Sequence, residues 1–173
     1  MKALIEDLLD LETLGAKSFP LAVQRVESRD LLEGAVTDAQ SLADARHISL
    51  VLDVCDPPQF DADPHRISQV LSNLLGNAIK FTPEGGTVTL CARPRDGALS
   101  VTIADTGRGI APEDLAHIFD RYWRPKGSEG EGTGLGLYIA RGIVEAHGGR
   151  VWAESSAQGA TFVFTLPLEP RGD

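Results

Sequence analysis

Along residues 3–14 (ALIEDLLDLETL), Leu4, Leu8 and Leu11 recur at helical spacing, and Ile5, Leu9 and Leu14 widen the stripe. This is the period of an amphipathic helix, and Gly15 and Pro20 end it. No capping residue precedes it, so the stretch reads as the tail of a longer helix. A helix this short is marginal alone in water, which predicts packing, either on the rest of the chain or in a dimerising helical hairpin. Residues 21–27 (LAVQRVE) alternate as a strand does. Ser28 or Asp30 is placed to cap a helix that buries Leu31, Leu32, Ala35, Val36, Ala39 and Leu42 and ends near Arg46. Ile48–Val54 reads as a second strand, and Asp56-Pro57-Pro58 breaks the chain. Asp63 then caps a helix with Pro64 at its first position, running to Phe81. Thr87–Ala92 and Leu99–Ala104 pair around a turn at Asp96-Gly97. Pro112, Glu113 and Asp114 open a helix through Leu115, Ile118 and Phe119. Residues 125–133 (PKGSEGEGT) are loop by composition, Gly134 to Ala146 is helical, and Arg150–Glu154 and Ala160–Leu166 close the chain as strands. Helices intermixed with adjacent strand pairs predict an α+β fold with an antiparallel or mixed sheet under helices.

Composition narrows this pattern to one domain, or one domain with an appendage: 173 residues, 42% hydrophobic and 24% charged. Cys55 and Cys91 lack zinc or disulfide-framework spacing. No apolar run reaches the ~20 residues that span a bilayer. Met1-Lys2 lacks a signal-peptide pattern, so a cytoplasmic location is expected. A net charge of −9 argues against nucleic acid and anionic membranes as partners. It leaves phosphate ligands open, because these need only a few local cations and amides.

Three segments carry candidate chemistry. On the helix 63–81, Ile67, Leu71, Leu74, Leu75 and Ala78 share one side. Asn73, Asn77 and Lys80 fall within about 60° of one another on the opposite side. Two carboxamides and an ammonium suit a magnesium–phosphate group, the amide carbonyl supplying a hard oxygen; a plain solvated face would show the same stripe. Asp105-Thr106-Gly107-Arg108-Gly109-Ile110 follows a strand. A buried Asp at a strand end accepts only, which suits the exocyclic amine of adenine and repels the guanine carbonyl. Gly107 and Gly109 remove side chains where a ligand approaches the backbone, although the same residues also compose ordinary turns. Gly132-Thr133-Gly134-Leu135-Gly136-Leu137 enters a helix, where successive amides form an anion nest. Six glycines between residues 127 and 142 suggest a lid. Between the glycine segments, Ile118–Arg124 (IFDRYWR) offers aromatics to anchor Arg121 or Arg124 near that lid.

In this order, the segments resemble the catalytic ATP-binding domain of bacterial sensor histidine kinases, within the GHKL ATPases. Ser72–Thr82 (SNLLGNAIKFT) looks like the N box, Asp105–Ile110 (DTGRGI) the first glycine box and Ile118–Arg124 the F box. Gly132–Leu137 (GTGLGL) looks like the second glycine box, and Gly159–Phe162 (GATF) the last short motif. The resemblance implies a two-layer α/β sandwich with helices over one face of a mixed sheet and an N-terminal helical extension. Residues 1–18 would be the remnant of the second dimerisation helix and residues 19–173 the catalytic domain. It implies ATP and Mg²⁺ as ligands, with Asn77 on the metal and Asn73 nearby on the nucleotide. Lys80 and Arg124 would act on the phosphates as the catalytic cations. Asp105 would bind the adenine amine, with Thr161 near the same pocket, and Gly107, Gly109 and Ile110 would border the nucleotide. Gly132, Thr133, Gly134, Leu135, Gly136 and Leu137 would line the lid.

Hydrolytic GHKL relatives carry Glu four residues before the magnesium Asn; here that residue is Asn73. A carboxamide takes no proton from water, which favours phosphoryl transfer to a protein side chain. The acceptor His of the family is followed by an acidic residue. His47, His65, His117 and His147 are followed by Ile48, Arg66, Ile118 and Gly148, so all four read as structural and the acceptor is expected elsewhere. The implied partners are the dimerisation and phosphoacceptor domain of the parent kinase and, indirectly, a response regulator, with no nucleic acid and no direct membrane contact. An ATP-responsive regulatory module and an anti-sigma-type serine kinase share the same motifs.

Overall fold

The computed structural model describes residues 20–54, 57–125 and 133–168; the expected helix over 3–14 lies outside them. In chain order the elements are β1 (Gln24–Val26), α1 (Ser28–Ala45), β2 (Ser49–Val54), β3 (Phe60–Ala62), α2 (Pro64–Phe81), β4 (Thr87–Arg95), β5 (Ala98–Asp105), α3 (Pro112–Leu115), α4 (Gly136–Ala146), β6 (Arg150–Ser156) and β7 (Gly159–Pro167). Five strands form one sheet in the order β2-β4-β5-β7-β6, while β1 and β3 form a separate pair. The large sheet is mixed: β2 runs parallel to β4, and every other neighbour is antiparallel. A parallel pair needs a crossover, and the chain from β3 through α2 provides it.

The period of two along the strands decides which residues meet the helices. Val88, Leu90 and Ala92 of β4, Leu99, Val101 and Ile103 of β5, and Phe162, Phe164 and Leu166 of β7 are buried. Asp105 continues the inward phase of β5. The helix α2 answers with Ile67, Val70, Leu71, Leu74, Leu75, Ala78 and Ile79, none more than 1% exposed. It packs against α1 and α4 and against β4 and β5. No described helix is long and apolar enough to cross a membrane.

The start of α2 is the best-tied point of the helical layer. Asp63 Oδ1 accepts from Arg66 N at 3.1 Å, and Oδ2 accepts from Ala22 N at 2.9 Å. The Asp63 N–H donates to His147 Nε2 at 3.0 Å, and His147 Nδ1 donates to Ile143 O at 2.8 Å. One imidazole, in its Nδ1–H form, thus joins the C-terminus of α4 to the N-terminus of α2. Burial alone would push the Asp63 carboxyl up, but the N–H groups of Ala22, Arg66 and His65 and the Arg66 charge outweigh it and hold the pKa below its ordinary value.

Four local expectations change. The strand over 21–27 shortens to Gln24–Val26 and pairs with β3, where only a chain break was expected. Neither Ser28 nor Asp30 caps α1: Glu27 is the cap residue, and the buried Ser28 hydroxyl donates to Pro58 O instead. The helix opened by Pro112 stops after Leu115. The chain continues as turns held by His117 N→Asp114 O, Asp120 N→His117 O and Trp123 N→Asp120 O. These turns end at Tyr122, whose φ of 63° is left-handed and whose N–H donates to Gly134 O at 3.0 Å. Gly134 itself has a φ of 71°, which no α-helix contains, so α4 begins at Gly136 instead of Gly134.

Replacing Asp63 with Ala is expected to cost about 1–2 kcal/mol of folding stability at neutral pH. Because the folded-state pKa is lowered, this contribution is fully present above the ordinary carboxylate range and is lost as pH falls through the folded value. Denaturant unfolding of both proteins at neutral and strongly acid pH checks it; a gap that persists in acid contradicts the assignment.

Candidate functional site

The inward phase of β5 ends on Asp105, where the helical layer no longer covers the sheet. There a cavity of about 740 Å³ opens between α2, the β5–α3 turn, the segment through Arg124, the start of α4 and β7. Asp105 is only 7% exposed. Its Oδ1 accepts from Gly107 N at 2.8 Å and from Ala160 N at 3.2 Å. Neither bond uses Oδ2, so that oxygen remains for an incoming donor. Burial pushes the Asp105 carboxyl up, against the opposing pull of the Gly107 and Ala160 N–H groups.

Backbone contacts hold this carboxylate in place. On one side Thr106 N donates to Thr87 O at 3.1 Å, and Thr87 N donates to Thr106 Oγ1 at 2.9 Å. On the other, Gly159 (φ 136°) lies so close that an added Cβ would stand 1.8 Å from Asp105 O. A Cβ on Gly107 would stand 2.5 Å from Phe81 O. The turn after Gly109 is pinned by Ile110 N→Ser155 Oγ at 2.7 Å.

The polar stripe of α2 forms the facing wall. Asn73, Asn77 and Lys80 are half-buried and line the cavity, so the stripe is not a solvated face. Asn73 Nδ2 donates to Gly136 O at 3.0 Å, tying α2 to the start of α4. The Asn77 carboxamide has no hydrogen-bond partner among the described residues and faces the same cavity. A lone hard oxygen suits Mg²⁺, which takes one or two protein ligands beside phosphate oxygens and water. Among the described residues no cluster of three His, Cys, Asp or Glu forms a protein-only metal cage.

Of the other expected residues, Gly109, Ile110, Arg124, Thr133, Gly134, Gly136 and Leu137 also border the cavity. Three do not. Gly107 is packed beneath the wall on Phe81, so its missing side chain makes room for protein backbone, not for ligand. Leu135 is 2% exposed and anchors the start of α4 in the core. Thr161 lies between Ala160 and Phe162, which face the cavity, so the strand alternation turns its side chain to the sheet's other face. Gly132 lies outside the described residues. Of the two F-box arginines only Arg124 lines the cavity; Arg121 stacks on Tyr122, its Cζ 4.8 Å from the ring centre, beside a separate small cleft.

Phe81, Arg108 and Phe162 also line the cavity and were not anticipated. Phe162 was legible from its inward phase with Ala160. Arg108 lies between the two glycines of DTGRGI, where sequence alone gives no sign of which way its side chain turns. The lining carries Lys80, Arg108 and Arg124 against Asp105, Glu113 and Asp114. Charge is therefore balanced here within a chain of net charge −9.

Residues 62–170 match the family described as histidine kinase-, DNA gyrase B- and HSP90-like ATPase. The chain belongs to this family. The adaptive-response sensory kinase SasA of Synechococcus elongatus is 37% identical over 172 residues, which cover 97% of this chain and 44% of that protein. The structure of full-length ShkA in complex with AMPPNP superposes with a TM-score of 0.87 at 34% identity, covering 99% of this chain and 36% of that one. A histidine kinase ThkA, solved in complex with the response regulator TrrA, has a TM-score of 0.78 at 25% identity over 99% of this chain and 51% of that one. The chain spans less than half the length of the curated relatives it matches. The α+β fold, with helices on a mixed five-stranded sheet, is the fold of these histidine kinase ATPase domains.

Asp105→Asn keeps an acceptor for Gly107 and Ala160 but removes the buried charge. Because the folded-state pKa is raised, the ionised carboxylate opposes folding above that pKa, and the penalty vanishes once pH drops below the ordinary carboxylate range. The variant is therefore expected to be more stable than wild type at neutral pH and equal to it in acid. Thermal unfolding across pH checks the sign.

Proposed function

We propose that the chain binds Mg-ATP and presents the γ-phosphate to a histidine outside its residues, as the catalytic part of a two-component sensor histidine kinase. The observation that carries this reading is that Asp105 and Asn77, a buried carboxylate and an unpartnered carboxamide, border one cavity together with Lys80 and Arg124. Asp105 Oδ2 accepts from the adenine amine and repels a guanine carbonyl. Ala160, Phe162 and Ile110 give the base an apolar seat. Asn77 offers its carbonyl oxygen to Mg²⁺, and the ion when bound neutralises phosphate charge. Lys80 and Arg124 take phosphate oxygens, and the amides entering α4 add anion-binding donors.

Attack by an imidazole nitrogen forms a P–N bond while the bond from phosphorus to the ADP oxygen breaks. Such transfer asks the domain for alignment and charge neutralisation more than covalent work. Asn73 supports transfer over hydrolysis: its carboxamide is not a general base, and its Nδ2 is committed to Gly136 O. In this proposal residues 1–18 are the end of the preceding dimerisation helix. The acceptor hairpin of the parent protein is the direct partner and a response regulator the indirect one, in keeping with the ThkA complex.

The test is a titration with AMPPNP with and without Mg²⁺, followed by transfer from labelled ATP to a separately added acceptor hairpin. Expected are binding in the micromolar range or weaker, about −5 to −8 kcal/mol, dependence on Mg²⁺, and at least tenfold weaker binding by Asp105→Asn. Lys80→Ala is expected to lower transfer by roughly a hundredfold. Acid-labile phosphate appearing on this chain alone, or acid-stable phosphate on a serine of the acceptor, would contradict the reading.

A further inference from the structure

We infer that Arg108 is a further phosphate-contacting cation of this cavity, gathered with Lys80 at the Phe81 ring, so that the site selects nucleotides by their polyphosphate; this rests on the nucleotide reading proposed above. The guanidinium carbon of Arg108 stands 5.3 Å from the Phe81 ring centre, and the Lys80 ammonium stands 4.9 Å from the same centre. Both side chains border the cavity. They come from different elements: Lys80 from the last turn of α2, Arg108 from the turn after β5.

Two cations gathered on one ring repel each other, and attraction to an exposed aromatic face is worth only about 0.5–1 kcal/mol. An anion with its charge spread over several oxygens relieves that repulsion and is the ligand such a pair fits. Glu113 and Asp114 border the same cavity, yet Arg108 makes no ion pair or hydrogen bond among the described residues. Its five donors are therefore open to ligand. The ring also orders the long side chain before binding, which reduces the rotamer entropy lost when a phosphate is gripped. Arginine suits this task because its planar fork matches two phosphate oxygens at once.

The geometry divides the labour. Asp105 reads the base, Asn77 and Arg124 serve the metal-bound end, and Arg108 with Lys80 holds the phosphates between. Adenosine, which carries the base alone, gains nothing from Arg108.

The experiment compares wild type, Arg108→Ala and Arg108→Lys for ADP with Mg²⁺ by calorimetry and for adenosine by ligand-observed NMR. Arg108 is exposed, so both variants are expected to melt with the wild type. Arg108→Ala is expected to weaken ADP about tenfold or more and to leave adenosine within about twofold, while Arg108→Lys restores part of the loss by returning the charge without the fork. Equal losses for adenosine and ADP without rescue by lysine would make Arg108 a planar cation stacked on the base and would overturn the proposal. So would unchanged ADP binding in Arg108→Ala. A wild type that binds neither ligand overturns the nucleotide reading along with it, whereas normal wild-type binding with an indifferent variant overturns this proposal alone.

Discussion

One oxygen atom organises this domain's working end. Asp105 Oδ1 gathers N–H groups from the turn that follows its own strand and from the neighbouring strand β7. The carboxylate is thereby fixed in place at the cavity's edge. Everything close to it gives way to that arrangement: Gly159 and Gly107 carry no side chain because the space is taken by Asp105 and Phe81 backbone. Burying a carboxylate opposes folding, and two backbone donors offset that only in part. The surrounding core has to carry the difference, and the near-complete burial of α2, β5 and β7 side chains supplies it.

The second constraint falls on α2, which serves two surfaces at once. Its apolar side fills the space against the sheet, and its polar side builds a cavity wall. Neither surface tolerates rotation of the helix: a turn of one residue would drive Asn77 toward the sheet and a leucine into the cavity. The ties at the start and middle of the helix prevent it. Asp63 and His147 fix the start, and Asn73 fixes the middle against α4. Hydrogen bonds here act as an angular setting for the side chains of the cavity wall, beyond their modest energy.

Most of this was legible before the coordinates because the two periods are clean. Period two put Asp105 in phase with Leu99, Val101 and Ile103, and the helical period separated Asn73, Asn77 and Lys80 from the leucines. Asp63 and Pro64 marked the start of α2 by well-understood capping chemistry. What escaped notice depended on distant partners. β3 is too short to show alternation and exists because β1 pairs with it. The early stop of α3 reflects turns that lead to the Tyr122–Gly134 contact, a constraint from residues further along the chain. Thr161 was carried over from a resemblance, yet its neighbours' alternation already turned it away. The missing side chain of Gly107 suits ligand approach and backbone approach alike, and only three-dimensional packing shows that it admits Phe81.

The bond from Tyr122 N–H to Gly134 O brings together the two ends of residues 123–133. Such a clasp fixes where the chain leaves the frame at Tyr122 and where it rejoins it at Gly134. Once the ends are joined, each doubling of the enclosed length adds only about 0.6 kcal/mol of closure entropy. Insertions and deletions between the clasped ends therefore cost folding little. The clasp makes this stretch the cheapest place for the chain to vary in length without disturbing the sheet and helices that carry Asp105 and Asn77.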